Sequence, residues 1–399
     1  MPYYIGDVIK EEKKLIARTP EKFRETGVEV RIDTRVEEVD GKAGEVRLAD
    51  GTRLPYDILV LGTGTTPLLP GIPGEDREGV FTLKTFTDAL RIKAWLREVP
   101  CRKAIIIGAG FIGMEMSEAI RNLGIETQVF HRGTLPVNRW DPEFSQVVLD
   151  ELRRHQVDFV TDAETKAIEA GKDHRLRLVT NHGEAEADMI LMAVGIRPEV
   201  TLAKQMGLPL GETGAIRVNF SQMTPREGVY AVGDCCESFH RVSGHWVNIP
   251  LGDIANKQGR VAGRNIGGGA MIFPGIVGAQ SFQVFDLEVA ATGLDERAAA
   301  AVGFHPVSML SWGNAIAGPM PGNTKLGLKL IADRATGRLL GAQAVGEAGA
   351  VSRINTLSCA LWAGLTLDDV GYLDLAYAPP FSGSWDLIHI AAQALRRQI

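Results

Sequence analysis

The stretch that decides the fold is Lys103-Ala104-Ile105-Ile106-Ile107-Gly108-Ala109-Gly110-Phe111-Ile112-Gly113-Met114-Glu115. Lys103–Ile107 is a short aliphatic run of the kind that forms a strand buried on both faces. Three glycines then open an amphipathic helix, which the sequence carries to about Leu123 before Gly124 stops it. Thr127–Phe130 is a second strand. A G-x-G-x-x-G pattern alone is weak, but between a strand and a helix, with a second strand following, it is the fingerprint of a dinucleotide site. Gly108 permits a tight turn, Gly110 lets the backbone approach a pyrophosphate, and Gly113 lets helix and strand pack closely. Phe111 and Ile112 begin the helix, whose N-terminal amides favour a bound phosphate.

The second strand runs into Gln128-Val129-Phe130-His131-Arg132. A site for NAD usually places a carboxylate here for the ribose 2′-hydroxyl. This chain places Arg132, which pairs with a 2′-phosphate, and His131 beside it. That favours NADP(H); the alternative is a solvated arginine and a site that takes NADH. A helix at about 142–156 and strands at Phe159–Thr161, Arg175–Val179 and Met189–Ala193 complete a β-α-β-α-β nucleotide-binding unit.

Upstream, Val28–Ile32 and Glu45–Leu48 alternate like strands of a small meander with a turn at Asp50-Gly51. Ile58–Leu61 reads as a buried strand ending in Gly62-Thr63-Gly64. The proline-rich 67–74 segment excludes helix and central strand and reads as a surface crossing. Downstream, 228–234 is a strand running into Gly233-Asp234, where a carboxylate at a strand end suits a ligand hydroxyl. Asp253–Gly267 is a helix. From about Phe273 a separate module begins, with strands near Ser281–Val289, Val307–Ser311, Leu326–Ala332 and Leu339–Val345 and helices near Ala350–Ala363 and Asp386–Arg397.

Composition narrows the function. The chain has 399 residues, net charge −6 and no basic run, which argues against nucleic acid or a polybasic membrane contact. No apolar run approaches the length of a membrane helix, and Met1–Gly6 is no signal peptide, so the expected location is cytoplasmic. Four cysteines, Cys101, Cys235, Cys236 and Cys359, lack metal-ligand spacing and read as structural thiols. The eight histidines show no paired spacing, so no metal is expected.

Taken together, Pro2-Tyr3-Tyr4-Ile5-Gly6, Thr19-Pro20-Glu21-Lys22-Phe23, Leu61-Gly62-Thr63-Gly64, Val194-Gly195-Ile196-Arg197-Pro198, Ala231-Val232-Gly233-Asp234, Asn256-Lys257-Gln258-Gly259-Arg260 and the 374–380 segment resemble the flavin-dependent pyridine nucleotide–disulfide oxidoreductases. The nearest pattern is that of the coenzyme A disulfide reductases, NADH oxidases and NADH peroxidases. The resemblance implies an α/β fold: Rossmann-like nucleotide-binding domains followed by a C-terminal α+β dimerisation domain. The expected division is 1–100 as the first part of an FAD-binding domain, 101–215 as an NAD(P)H-binding domain, 216–272 as the second part of the FAD-binding domain, and 273–399 as the dimerisation domain. Thr63, Gly64, Gly233 and Asp234 would contact FAD, with Asp234 on the ribityl chain and Pro250 and Leu251 near the flavin ring. Glu115 and Gly195 would serve the nicotinamide nucleotide, and Tyr377 would reach the site of a second copy in a homodimer. Electrons would pass from NAD(P)H through flavin to a small-molecule disulfide or to oxygen or peroxide.

Three departures accompany the resemblance. The family opens on another glycine loop for the ADP half of FAD, and the FAD domain here is N-terminally incomplete. The family's redox cysteine precedes the proline matched by Pro2. The family's Tyr-Tyr-Pro-Gly stands here as Pro319-Met320-Pro321-Gly322, and Trp385 replaces a residue that tends to be basic in coenzyme A disulfide reductases. The expectation is a truncated form of a longer, catalytic protein; the alternative is a nucleotide-binding, dimer-forming fragment without catalysis.

Overall fold

The structure, a computed structural model, describes residues 1–399. Residues 1–10, 67–195 and 277–399 form one unit, and 11–66 with 196–276 form another. The chain passes from one unit to the other at 66/67 and 195/196. The reason is strand pairing: Val80–Phe81 joins the nucleotide-binding sheet, and the chain after Gly195 returns to the strands around Leu59–Leu61.

The central part of the first unit contains, in order, β1 (Val80–Phe81), α1 (Phe86–Glu98), β2 (Lys103–Ile107), α2 (Phe111–Asn122), β3 (Glu126–Phe130), α3 (Pro142–Arg154), β4 (Asp158–Val160) and β5 (Met189–Met192). The strands form one sheet in the order β1-β5-β2-β3-β4, every pair parallel. The aliphatic run of β2 lies at its centre, with Ile105 and Ile106 fully buried. An antiparallel three-stranded sheet, Thr165–Ala170, Leu176–Thr180 and Gly183–Ala187, is inserted before β5. Helix α1 is not evident in the sequence pattern. Its face carries Lys93, which is buried because it donates to the Ile5 carbonyl at 2.7 Å and pairs with Asp7 at 2.8 Å.

In the second unit, β6 (Val229–Ala231) runs parallel to Leu59–Leu61, and α4 (Gly252–Ile266) follows. The expected meander is present as Val36–Asp40, Glu45–Leu48 and Arg53–Pro55. Val28–Ile32, read as a strand, forms no ladder. Its alternation exposes Val28 and Ile32 to solvent, and without a neighbouring strand the pattern has nothing to pair with.

The C-terminal part of the first unit has β7 (Gln280–Val284), β8 (Leu287–Gly293), β9 (Pro306–Asn314), β10 (Lys325–Asp333), β11 (Leu339–Gly346), α5 (Ala350–Ala363) and α6 (Leu387–Arg396). The five strands form an antiparallel sheet in the order β7-β8-β11-β10-β9, with every residue of β11 buried. The stretch read as one strand, Ser281–Val289, is instead a hairpin turning at Phe285, whose φ is 50°. No glycine marks that turn. Long-range contacts hold it: Glu118 of α2 accepts the Phe285 N–H at 2.8 Å, and the His155 ring stacks on Phe285. No helix is long and apolar enough to cross a membrane.

Candidate functional site

The glycine loop between β2 and α2 shows three different reasons for lacking a side chain. Gly108 has φ of 103°, and a Cβ there would lie 2.4 Å from the Ala193 carbonyl oxygen. At Gly113 a Cβ would lie 2.2 Å from the Gly108 carbonyl oxygen. Gly110 differs: a Cβ would meet nothing within 4 Å. A side chain at this position would therefore stand in open space beside the helix start. Gly110 is also the N-cap of the twelve-residue α2 and supplies no side-chain cap, so the first amides of the helix remain available to an anion. The Phe111 ring is taken up in packing, stacked on Phe282 at 5.0 Å and edge-on to Trp140 at 5.1 Å. Ile112 is partly buried beside it, so both contribute backbone to this loop.

The chain after β3 crosses back over this loop. Val137 donates its N–H to the Ala109 carbonyl at 2.8 Å. Two guanidinium groups, Arg132 and Arg139, stand exposed on the crossing segment and enter no hydrogen bond or ion pair. His131 behaves otherwise. It is half-buried against Phe159, and its Nε2 is buried without a partner. Burial, reinforced by the Arg132 charge and opposed by Asp162, holds its imidazole below the ordinary value. His131 thus packs against Phe159, and Arg132 beside it carries exposed positive charge at the strand end. Sequence reasoning passed over Arg139, which lies two residues beyond the Val137 that the fold hydrogen-bonds to the loop. Glu115, one turn into α2, has its carboxyl raised by burial and, less strongly, by Glu118. Gly195 follows β5 with φ of 125°.

In the second unit, Gly233 turns the chain out of β6 with φ of 78° against Ala255 of α4. The turn is held by Gln258, a fully buried side chain that accepts the Gly233 N–H at 2.7 Å and donates to Ser238 Oγ at 2.9 Å. Asn248 fixes the other side by donating to the carbonyls of Asp234 and Cys236, each at 3.0 Å. Pro250 and Leu251 lead into α4, whose N-terminus has no side-chain cap. Thr63 donates to the Glu199 carbonyl at 2.5 Å, and Gly64 has φ of 69°. The neighbouring Thr65 hydroxyl is buried with no partner. A strand-end carboxylate, an uncapped helix and an orphaned hydroxyl fit a polar ligand with hydroxyl and imide groups, as the flavin half of FAD has. Gln258 stood out in sequence only as part of the Asn256–Arg260 motif, and Thr65 carried no recognisable signal; the importance of both lies in what surrounds them.

Residues 4–259 match the family model described as pyridine nucleotide-disulphide oxidoreductase, and residues 279–387 match that family's dimerisation domain. The chain belongs to the pyridine nucleotide–disulfide oxidoreductases. It is 37% identical over 398 residues to the NAD(P)H sulfur oxidoreductase (CoA-dependent) of Pyrococcus furiosus, covering 98% of this chain and 89% of that one. It is 30% identical to an NADH oxidase of Methanocaldococcus jannaschii, covering 98% and 88%. The solved NAD-dependent persulfide reductase from A. fulgidus superposes with a TM-score of 0.95 at 36% identity, covering 100% of this chain and 75% of that one. The mixed α/β fold with a C-terminal dimerisation module is therefore the family's, as the motifs led us to expect.

The cysteines of this oxidoreductase remain unremarkable. Burial pushes the Cys101 thiol up to about 12 and Cys236 well above its ordinary value, so neither is a ready nucleophile. Cys235 is fully buried and Cys359 is exposed on α5. Tyr377 is half-exposed on a segment that also presents Tyr372, Phe381 and Trp385 to solvent. That segment is anchored where Arg353 donates to Asp386 at 2.7 Å and to the Ala315 carbonyl at 2.8 Å, and where His389 Nε2 meets the Leu373 carbonyl at 2.8 Å.

Proposed function

We propose that this chain is a homodimeric, FAD-dependent reductase that takes electrons from NAD(P)H, preferring NADPH, and delivers them to a small-molecule disulfide or persulfide. The observation that carries this reading is the glycine loop, in which Gly110 alone leaves open space at the uncapped N-terminus of α2. That is where a pyrophosphate gains amide hydrogen bonds at no cost to packing. Arg132 and Arg139 supply unpaired positive charge for a 2′-phosphate. Glu115 stands one turn along the same helix, its carboxyl raised above the ordinary value by burial, in place to meet the nicotinamide half of the nucleotide.

FAD, when bound, supplies the hydride acceptor and electron relay. Asp234 would hold a ribityl hydroxyl, fixed by the Gln258 and Asn248 hydrogen bonds to its turn. Pro250, Leu251 and the α4 N-terminus would hold the flavin ring, and Thr63, Gly64 and Thr65 would line its approach. Residues 67–195 would carry the nucleotide, while 277–399 would serve self-association through the anchored aromatic segment bearing Tyr377.

The test is anaerobic reduction of the flavin-loaded protein by NADPH and by NADH, followed by mixing with coenzyme A disulfide, a coenzyme A persulfide or oxygen. The expected result is faster reduction by NADPH and faster reoxidation by the sulfur compounds than by oxygen. Reoxidation by oxygen alone would turn the assignment to an oxidase. Light scattering should give twice the monomer mass, and a monomer would remove the role given to 277–399.

A further inference from the structure

We propose that Glu151, His155 and Asp286 form a divalent-metal site, suited to zinc, that clips the end of α3 to the β7–β8 turn. Glu151 and His155 lie four residues apart, on one face at the C-terminal end of α3, the spacing that lets one helix offer two ligands to one ion. Asp286 comes from the turn of the hairpin. One ligand atom from each of the three lies within 4.8 Å of the others. His155 Nε2 is 3.3 Å from Glu151 Oε1 and 3.4 Å from Asp286 Oδ2. At zinc–ligand bonds of about 2.0–2.1 Å, adjacent corners of a tetrahedron lie about 3.3 Å apart. Both separations from His155 match that edge.

A second observation points the same way. His155 Nε2 is buried and makes no hydrogen bond, although two carboxylates lie beside it. The nitrogen faces two anionic oxygens at 3.3 and 3.4 Å in a direction that makes a hydrogen bond to neither, an arrangement open to a cation placed between them. The ring cannot easily turn away, because it stacks on Phe285 with centroids 4.0 Å apart and planes 4° from parallel. Glu151 is equally fixed: it is nearly fully buried, and its Oε1 accepts the Asp286 N–H at 3.0 Å.

Nearby charge leaves room for the ion. Glu118 of α2 adds a third carboxylate, accepting from Phe285 N–H. The cations are Arg154, whose guanidinium meets Glu151 Oε2 at 2.5 Å and Asp286 Oδ2 at 3.0 Å, and Arg121, which donates to the His155 carbonyl and to Gln156. Arg154 grips the Glu151 oxygen that faces away from His155 and so orients this ligand, but it also contacts the Asp286 oxygen beside His155, which the ion would share with it or take over. Asp286 is half-exposed and can rotate to offer an oxygen to the ion. Water takes the fourth position. Both segments belong to the same unit, so binding would stabilise the hairpin against the helix rather than supply catalysis.

The experiment uses the purified full chain, stripped with chelator and then dialysed against buffered Zn²⁺, with metal content read by plasma mass spectrometry. Wild type should hold one Zn²⁺ per chain and melt at a higher temperature with Zn²⁺ than without. His155→Gln and Asp286→Asn should each lose the ion and the thermal response while keeping the wild-type circular dichroism. Mg²⁺ should not replace Zn²⁺, because imidazole ligation disfavours it. No Zn²⁺ above background in wild type would overturn the proposal. So would Zn²⁺ retained by both variants, or equal binding of Mg²⁺. If His155→Gln fails to fold, the half-exposed Asp286→Asn decides alone.

Discussion

Two alanine substitutions in the glycine loop should separate ligand binding from packing. Gly110 has φ of −82°, and a Cβ there meets nothing within 4 Å, so Gly110→Ala should leave stability within about 0.5 kcal/mol of wild type. The same methyl would occupy the space read as the pyrophosphate approach. Losing one charge-assisted amide–phosphate bond costs about 1.5–3 kcal/mol, or about 10- to 150-fold in NADPH affinity. Gly113→Ala should do the reverse work. Its Cβ would lie 2.2 Å from the Gly108 carbonyl oxygen, where ordinary contact begins at about 3.4 Å. Backbone cannot yield as a side-chain tip can, so we expect destabilisation of about 1–3 kcal/mol, with weakened binding following from the displaced loop. Isothermal titration with NADPH and urea unfolding, run on both variants, give the comparison. Wild-type NADPH affinity in Gly110→Ala would refute the assignment of the loop.

Other outcomes follow from the same contacts. Arg132→Glu should lower the ratio of NADPH to NADH affinity by at least tenfold, one lost charged contact, and Arg139→Ala should lower it less; titration with both nucleotides reads this. Gln258→Leu leaves the buried Gly233 N–H without its acceptor and should cost about 1–3 kcal/mol by urea unfolding. Arg353→Met strands Asp386 in a site where both side chains are under a tenth exposed, and should destabilise by about 3–5 kcal/mol in the same assay. His131 is held below its ordinary pKa by burial, so the unfolded chain takes up the proton first. Its share of stability is complete above about pH 6.5 and is lost as pH falls through the lower folded value. His131→Asn should therefore flatten the acid side of the stability profile between pH 7 and 5, and an unchanged slope would return the histidine to solvent.

The sequence by itself determined the nucleotide-binding unit. An aliphatic run, three glycines at fixed spacing and a helical pattern are local signals, and β2, α2 and β3 need little else to be recognised. It also determined the family, because short motifs at distant positions matched together. Helix α1 was hidden because Lys93 occupies a buried place that only Ile5 and Asp7, brought from elsewhere in the chain, make tolerable. The hairpin at Phe285 was read as continuous strand because its turn holds no glycine or proline and Asp286 is a single weak turn signal in an apolar run, while contacts with Glu118 and His155 come from elsewhere in the chain. Likewise the half-burial of His131 against Phe159, which lowers its pKa beside Arg132, comes from the fold and not from its own stretch of chain. The Gln258 bracket on Gly233 and the meeting of Glu151, His155 and Asp286 depend on segments far apart in the chain. Composition and periodicity report what a residue does to its own stretch of backbone. Protonation, hydrogen-bond partners and ligand sets are decided by whatever the fold places alongside it.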